Sequence, residues 1–138
     1  MRRLNLLALA VTVTMVTLAS ACGSDEGDPA IWVVDPANPT TETSRSFTAL
    51  VMRADCAGGR TGEVFEPLID ADDDEIVITF TVAPISGDQS CPSNDVVPVV
   101  VDLDEPIGDR QLVDGACRSG QAPAELCAPN TRIWLPHL

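Results

Sequence analysis

The run EIVITFTVAP, residues 75–84, constrains the fold more than any other stretch of the chain. Ile76, Ile78, Phe80 and Val82 fall on one side of an extended backbone, and Val77, Thr79, Thr81 and Ala83 on the other. Successive side chains of a strand point to opposite faces. An aliphatic and aromatic face backed by a β-branched one therefore requires a sheet with one side buried.

Other segments repeat the pattern. In SFTALVMR, residues 46–53, Phe47, Ala49 and Val51 share a face opposite Thr48, Leu50 and Met52. GEVFEPLI, residues 62–69, reads as an edge strand because Pro67 cannot donate to a ladder. VVPVVVDLDEP alternates through Val97, Val99, Val101 and Leu103. A turn at Glu105, Pro106 and Gly108 then leads into RQLVD, residues 110–114, and the two strands read as a hairpin. IWVV, residues 31–34, can form a first strand, and RIWLP closes the chain. Trp32 and Trp134, flanked by valine and isoleucine, read as core residues. No window after Cys22 carries a 3.6-residue apolar stripe with caps; only APAELC, residues 122–127, suits a helical turn. Six or seven short strands at this spacing predict an all-β, immunoglobulin-like sandwich over residues 46–138. One domain of this size buries roughly two thirds of its unfolded surface.

Cysteine arithmetic comes next. The chain has five cysteines, an odd number: Cys22, Cys56, Cys91, Cys117 and Cys127. Ahead of Cys22, MRRLNLLALAVTVTMVTLASA has a charged head at Arg2 and Arg3, an apolar stretch from Leu4 to Leu18, and small residues before a cut. The apolar stretch is too short and too polar for a membrane span, which needs about 20 predominantly apolar residues. Residues 1–21 are therefore read as an export signal, and the remaining cysteines as residents of an oxidising compartment. Residues 22–45, beginning with the acidic GSDEGDPA after Cys22, are read as a tether, with 31–34 as its one candidate strand.

LASAC, residues 18–22, resembles the lipobox of bacterial lipoproteins, with Ala19 where that pattern usually carries leucine. The resemblance implies cleavage before Cys22, a diacylglycerol thioether on it, and a protein held to the outer face of the cell membrane by lipid. One acyl chain holds a protein only marginally, whereas two anchor it stably. Lipidation also uses up the odd cysteine, whereas the alternative, an ordinary secretory cut after Ala21, leaves Cys22 a free thiol on the new terminus. Four cysteines permit three pairings. Cys56 with Cys91 and Cys117 with Cys127 is preferred, because the first pair sits near strand ends and the second closes CRSGQAPAELC, a loop that otherwise lacks an apolar anchor. A zinc site is disfavoured by the missing C-x-x-C pair and the single histidine, His137.

The segment from Ile76 to Gly115, with CPSND at 91–95, PVVVDLDEPIGDR at 98–110 and LVDG at 112–115, resembles a segment of small exported proteins and lipoproteins of high-GC bacteria. That resemblance implies export and a β-rich fold, and it implies no mechanism. Within it, Asp109, Arg110 and Asp114 could form a charge network pinning the hairpin, with contact to a partner as the alternative.

The net charge of −13 repels nucleic acid and anionic lipid head groups, so neither is an expected partner. Asp70, Asp72 and Asp74 have the first, third and fifth spacing of a calcium loop. Glu75, however, stands where an EF-hand needs glycine, Thr81 where it needs glutamate, and a strand follows at once. DADDDE is therefore read as an acidic turn, with weak calcium binding as its alternative. There is no lysine or tyrosine, and five aromatic residues are too few to fill a core and line a sugar site. The expectation is a non-enzymatic binding or envelope-interaction module that needs no cofactor, with an unknown envelope protein or ligand as partner. Arg118, Gln121 and Glu125 form its candidate interaction loop, and a small calcium-binding or hydrolytic domain is the alternative.

Overall fold

The computed structural model describes residues 27–127 and the backbone of 132–134; Cys22 and His137 lie outside the described residues. The strands are β1 Asp28–Val34, β2 Ser46–Arg53, β3 Leu68–Ala71, β4 Glu75–Val82, β5 Val97–Asp102, β6 Gln111–Asp114 and β7 Arg132–Trp134. One helical turn, α1 Gly115–Arg118, and a 3-10 turn, Ala124–Leu126, complete the elements. Among the described residues no helix is long and apolar enough to cross a membrane.

All seven strands belong to one sheet in the order β5-β2-β1-β4-β6-β7, with β3 on the other edge of β4. Every pairing is antiparallel except β4 with β6. The all-β expectation stands, but the architecture is a curled sheet, a half-barrel, instead of the two separate sheets of an immunoglobulin-like sandwich. The cause lies in β4. One edge of it pairs with β6 through Glu75–Ile78 and then with β1 through Phe80–Val82, so both arms of the sheet hang on the same strand. The arms curl around one core, as strands shared between sheets make corners.

The alternation read from the sequence selects the inner face. Ile76, Ile78, Phe80 and Val82 are all buried, as are Phe47, Ala49 and Val51 of β2. Trp32 of β1 stacks on Phe47 at 5.6 Å between ring centroids and meets Phe80 edge-on at 6.1 Å. Its indole N–H donates to the Ile78 carbonyl at 3.0 Å, which satisfies the one polar atom of a buried tryptophan.

Three local expectations are corrected. The first strand starts at Asp28, three residues before Ile31, and lies between β2 and β4, so residues 28–34 are sheet and not tether. In the following loop Asp35 Oδ1 accepts from Ala37 N–H at 2.9 Å, and Asp35 Oδ2 from Asn38 Nδ2 at 2.7 Å. The expected strand at 62–69 is broken by a one-residue register shift at Glu66–Pro67. Val64 pairs with Val82, whereas Leu68 pairs with Thr79. Proline lacks the N–H that would carry the ladder through.

The expected hairpin between 97–103 and 110–114 does not form. β5 pairs with β2, while β6 lies beyond β4. Leu103, Ile107 and Gly108 donate N–H groups to the carbonyls of Arg45, Ser44 and Glu42 at 2.8–2.9 Å, so the chain crosses from one arm to the other over the end of the half-barrel. Ile107 is fully buried as it passes, and Gly108 takes φ 63° at the bend. Helical structure also appears at Gly115–Arg118 and over three residues of 122–127, where one turn was expected.

Both expected disulfides are present. Cys56–Cys91 joins the loops that follow β2 and β4, with Cα atoms 4.5 Å apart, and Cys117–Cys127 joins α1 to the 3-10 turn at 5.6 Å. Across sequence separations of 35 and 10 residues, the chain-entropy model gives roughly 4 and roughly 3 kcal/mol. Two such bridges point to an oxidising, extracytoplasmic location.

Among the described residues, two charged side chains are buried. Arg53 of β2, 2 % exposed, pairs with Asp28 and donates to the carbonyls of Thr61 and Ala83. Asp114, 1 % exposed, accepts from Trp32 N–H at 3.0 Å, Ala116 N–H at 2.9 Å and Cys117 N–H at 3.1 Å. It caps α1 at the point where the β4 edge passes from β6 to β1.

Candidate functional site

The β3–β4 hairpin and the Cys117–Cys127 loop meet on the outer face of β4. At the hairpin turn, Asp72 Oδ1 accepts N–H groups from Asp74 and Glu75, both at 2.8 Å, while Asp72 N–H donates to the Glu75 carbonyl at 2.9 Å. Those amides, Asp74 first and then Glu75, hold the Asp72 carboxyl below the ordinary aspartate range. Asp70 lies in β3 and Asp74 at the turn, where its carbonyl accepts from Gln111 N–H at 3.0 Å. Among the described residues, no group of three or more histidine, cysteine, aspartate or glutamate side chains is arranged to hold a metal. The acidic segment is a self-bonded hairpin turn.

The loop is brought to the hairpin by a close approach. A Cβ on Gly115 would overlap Thr79 Oγ1, so only glycine lets α1 lie against β4 there. Gly115→Ala is expected to cost about 1–3 kcal/mol through overpacking. Urea unfolding followed by tryptophan fluorescence measures this, and Thr79→Ala in the same chain recovers part of the loss.

At the end of α1, half-exposed Arg118 pairs with Glu75. Ser119 Oγ donates to the Gly115 carbonyl at 2.8 Å, and Gln121 N–H to the Ala116 carbonyl at 2.9 Å. A shallow depression of about 710 Å³ results, with Val77 and Thr79 at its base and Asp70, Asp72, Glu75, Arg118 and Gln121 around them. Two features far apart in sequence, the acidic turn and the Cys117–Cys127 loop, thus share one surface. Glu125 does not join it. It lies in the 3-10 turn beside the Cys56–Cys91 bridge, along a separate cleft of about 380 Å³.

The charge network expected from Asp109, Arg110 and Asp114 is not assembled around Asp114, whose carboxylate is turned into the core onto backbone amides. Arg110 donates to the carbonyls of Ile107 at 3.0 Å and Pro106 at 2.6 Å, with Glu105 at 3.9 Å. Trp32 is core as expected, and the Trp134 side chain lies outside the described residues. Arg53 and its partner Asp28 are not among the site residues expected from the sequence. The available signal was phase, since Arg53 continues the Phe47, Ala49, Val51 alternation and an inward guanidinium must find acceptors.

Chemically this surface offers mixed charge over a shallow apolar base. The Arg118–Glu75 pair is exposed and adds at most about 1 kcal/mol to stability. In comparison with known proteins, no family model, no curated protein and no solved structure matches the chain.

Proposed function

We propose that the chain is an exported bacterial lipoprotein, held to the outer face of the cell membrane by an acylated Cys22, whose half-barrel acts as a non-enzymatic binding module in the envelope. The cysteine accounting carries this reading. Cys56, Cys91, Cys117 and Cys127 are joined in pairs, which leaves Cys22 as the unpaired thiol, directly after the lipobox-like LASA. With residues 23–27 alone between Cys22 and β1, the folded domain stands close to its anchor.

The commitments of the polar groups support binding over acid–base chemistry. Asp72 is held by its own turn, Arg118 by Glu75, Arg110 by carbonyls and Asp114 by three amides. A net charge of −13 favours a cationic or neutral partner over nucleic acid.

Fractionation of cells expressing the full chain tests the anchor. The wild-type protein is expected in the membrane fraction and the detergent phase, and Cys22→Ser in the soluble phase. Equal membrane retention of the two proteins would remove the lipoprotein reading.

A further inference from the structure

The β3–β4 register puts Leu68 opposite Thr79, Asp70 opposite Val77 and Ala71 opposite Ile76. Asp72 N–H donates to the Glu75 carbonyl, so Asp70 and Leu68, in step with Asp72, turn their backbone groups toward β4. Ile69 and Ala71 therefore turn N–H and C=O away from β4, on an edge with no further strand among the described residues. Their side chains stand on the inner face beside Ile78 and Ile76, which are buried, yet Ile69 itself is 37 % exposed.

A cleft of about 410 Å³ opens along this edge. Ile69, Ala71 and Ile76 line one side, and Asp102, Leu103, Asp104 and Glu105, at and after the end of β5, line the other. Arg110 also lines this cleft, bonded to the carbonyls of Pro106 and Ile107 and 3.9 Å from Glu105, but its single positive charge faces the carboxylates of Asp102, Asp104 and Glu105, so the rim is net acidic. The edge of β5 differs. Leu103 N–H donates to Arg45, which by the same alternation turns Pro98, Val100 and Asp102 outward, and Pro98 has no N–H to offer.

We infer that the β3 edge receives an extended, basic segment of a partner protein as an added strand, its apolar side chains filling the cleft and its lysines or arginines meeting Asp102, Asp104 and Glu105. Main-chain bonds to Ile69 and Ala71 supply the pairing, and alternate side chains supply selectivity, as in strand addition generally. The incoming strand covers Ile69 and extends the half-barrel across its open side. This deepens the binding-module reading and rests on it; the contact itself does not require the lipid.

The probe is a fluorescein-labelled Thr-Val-Arg-Val-Arg-Val-Thr peptide titrated into the purified full chain and followed by anisotropy. Saturable binding is expected, at least tenfold weaker for the counterpart with glutamate in place of arginine. Strand pairing uses alternate amides, so N-methylation of either the valines or the arginines abolishes binding while the other set leaves it intact. On the protein side, Ile69→Pro removes an edge N–H and weakens binding at least tenfold, whereas Ile69→Val retains it. No saturation by the basic peptide, equal affinity for the glutamate peptide, or equal effects of the two methylation sets each overturns the inference; the peptide arms use the unaltered protein. Should the basic peptide fail while Cys22→Ser still leaves the membrane fraction, this edge is refuted and the lipoprotein reading stands.

Discussion

Arg53→Met is expected to lower the unfolding free energy by about 3–5 kcal/mol, the range for breaking a buried ion pair by removing one partner. A single guanidinium spans Asp28 of β1 and the carbonyls of Thr61 and Ala83, and methionine leaves all three without that donor. Domains of this kind have about 5–15 kcal/mol in total. The loss therefore takes a large share, and the urea midpoint followed by tryptophan fluorescence drops accordingly. Arg53→Lys keeps the charge but not the fork, so it retains one of these contacts at best and falls between the two. A methionine variant within about 1 kcal/mol of wild type would mean that the buried charge costs as much as its partners return.

Asp114→Ala carries a comparable effect by the opposite chemistry. Here an acceptor is removed and three donors, the buried amides of Trp32 and Ala116 and the part-buried amide of Cys117, are orphaned. At about 1–3 kcal/mol for each unsatisfied group, less what water and relaxation recover, a loss of about 3–5 kcal/mol is expected. Asp114 also gives a pH signature. Burial pushes its carboxyl above the ordinary value of 3.8, and the three amides pull it back without cancelling that rise. With the folded value raised, its contribution is fully present below the unfolded value and is lost as pH rises through the folded one. Stability is therefore expected to increase as pH falls from neutral toward 3.8, and Asp114→Asn flattens that slope. An unchanged slope in Asp114→Asn would assign the effect to relief of the net negative charge instead.

What could be read from the sequence follows from what alternation encodes. Ile76 through Val82 announced which face is buried, because side-chain direction is a local property of a strand. Alternation does not say which strand lies alongside, so two separate sheets and a curled one with a shared strand read alike. Pro106 and Gly108 mark a bend equally well for a return and for a crossing; the informative residue was Ile107, an apolar side chain inside a turn that otherwise had no reason to be there. The disulfide pairing was legible because loop position restricts which cysteines can meet. The shared surface of Arg118, Gln121, Asp70 and Asp72 was not, since it depends on Gly115 lying against Thr79, a contact between segments far apart in sequence. The β3 edge escaped for the same reason: an unpaired edge is defined by what fails to lie beside it.

The double membership of β4 also sets an order of events. β1, near the start of the chain, can pair at once with β2, but its other edge must wait for Phe80–Val82, and β4 in turn waits for Gln111–Asp114. Closing such distant pairings costs chain entropy before any contact repays it, which slows folding. A chain delivered N-terminus first through a membrane would stay open until Asp114 had emerged, and would then close as a unit, because the strand that joins the two arms is also nearly the last to find all its neighbours.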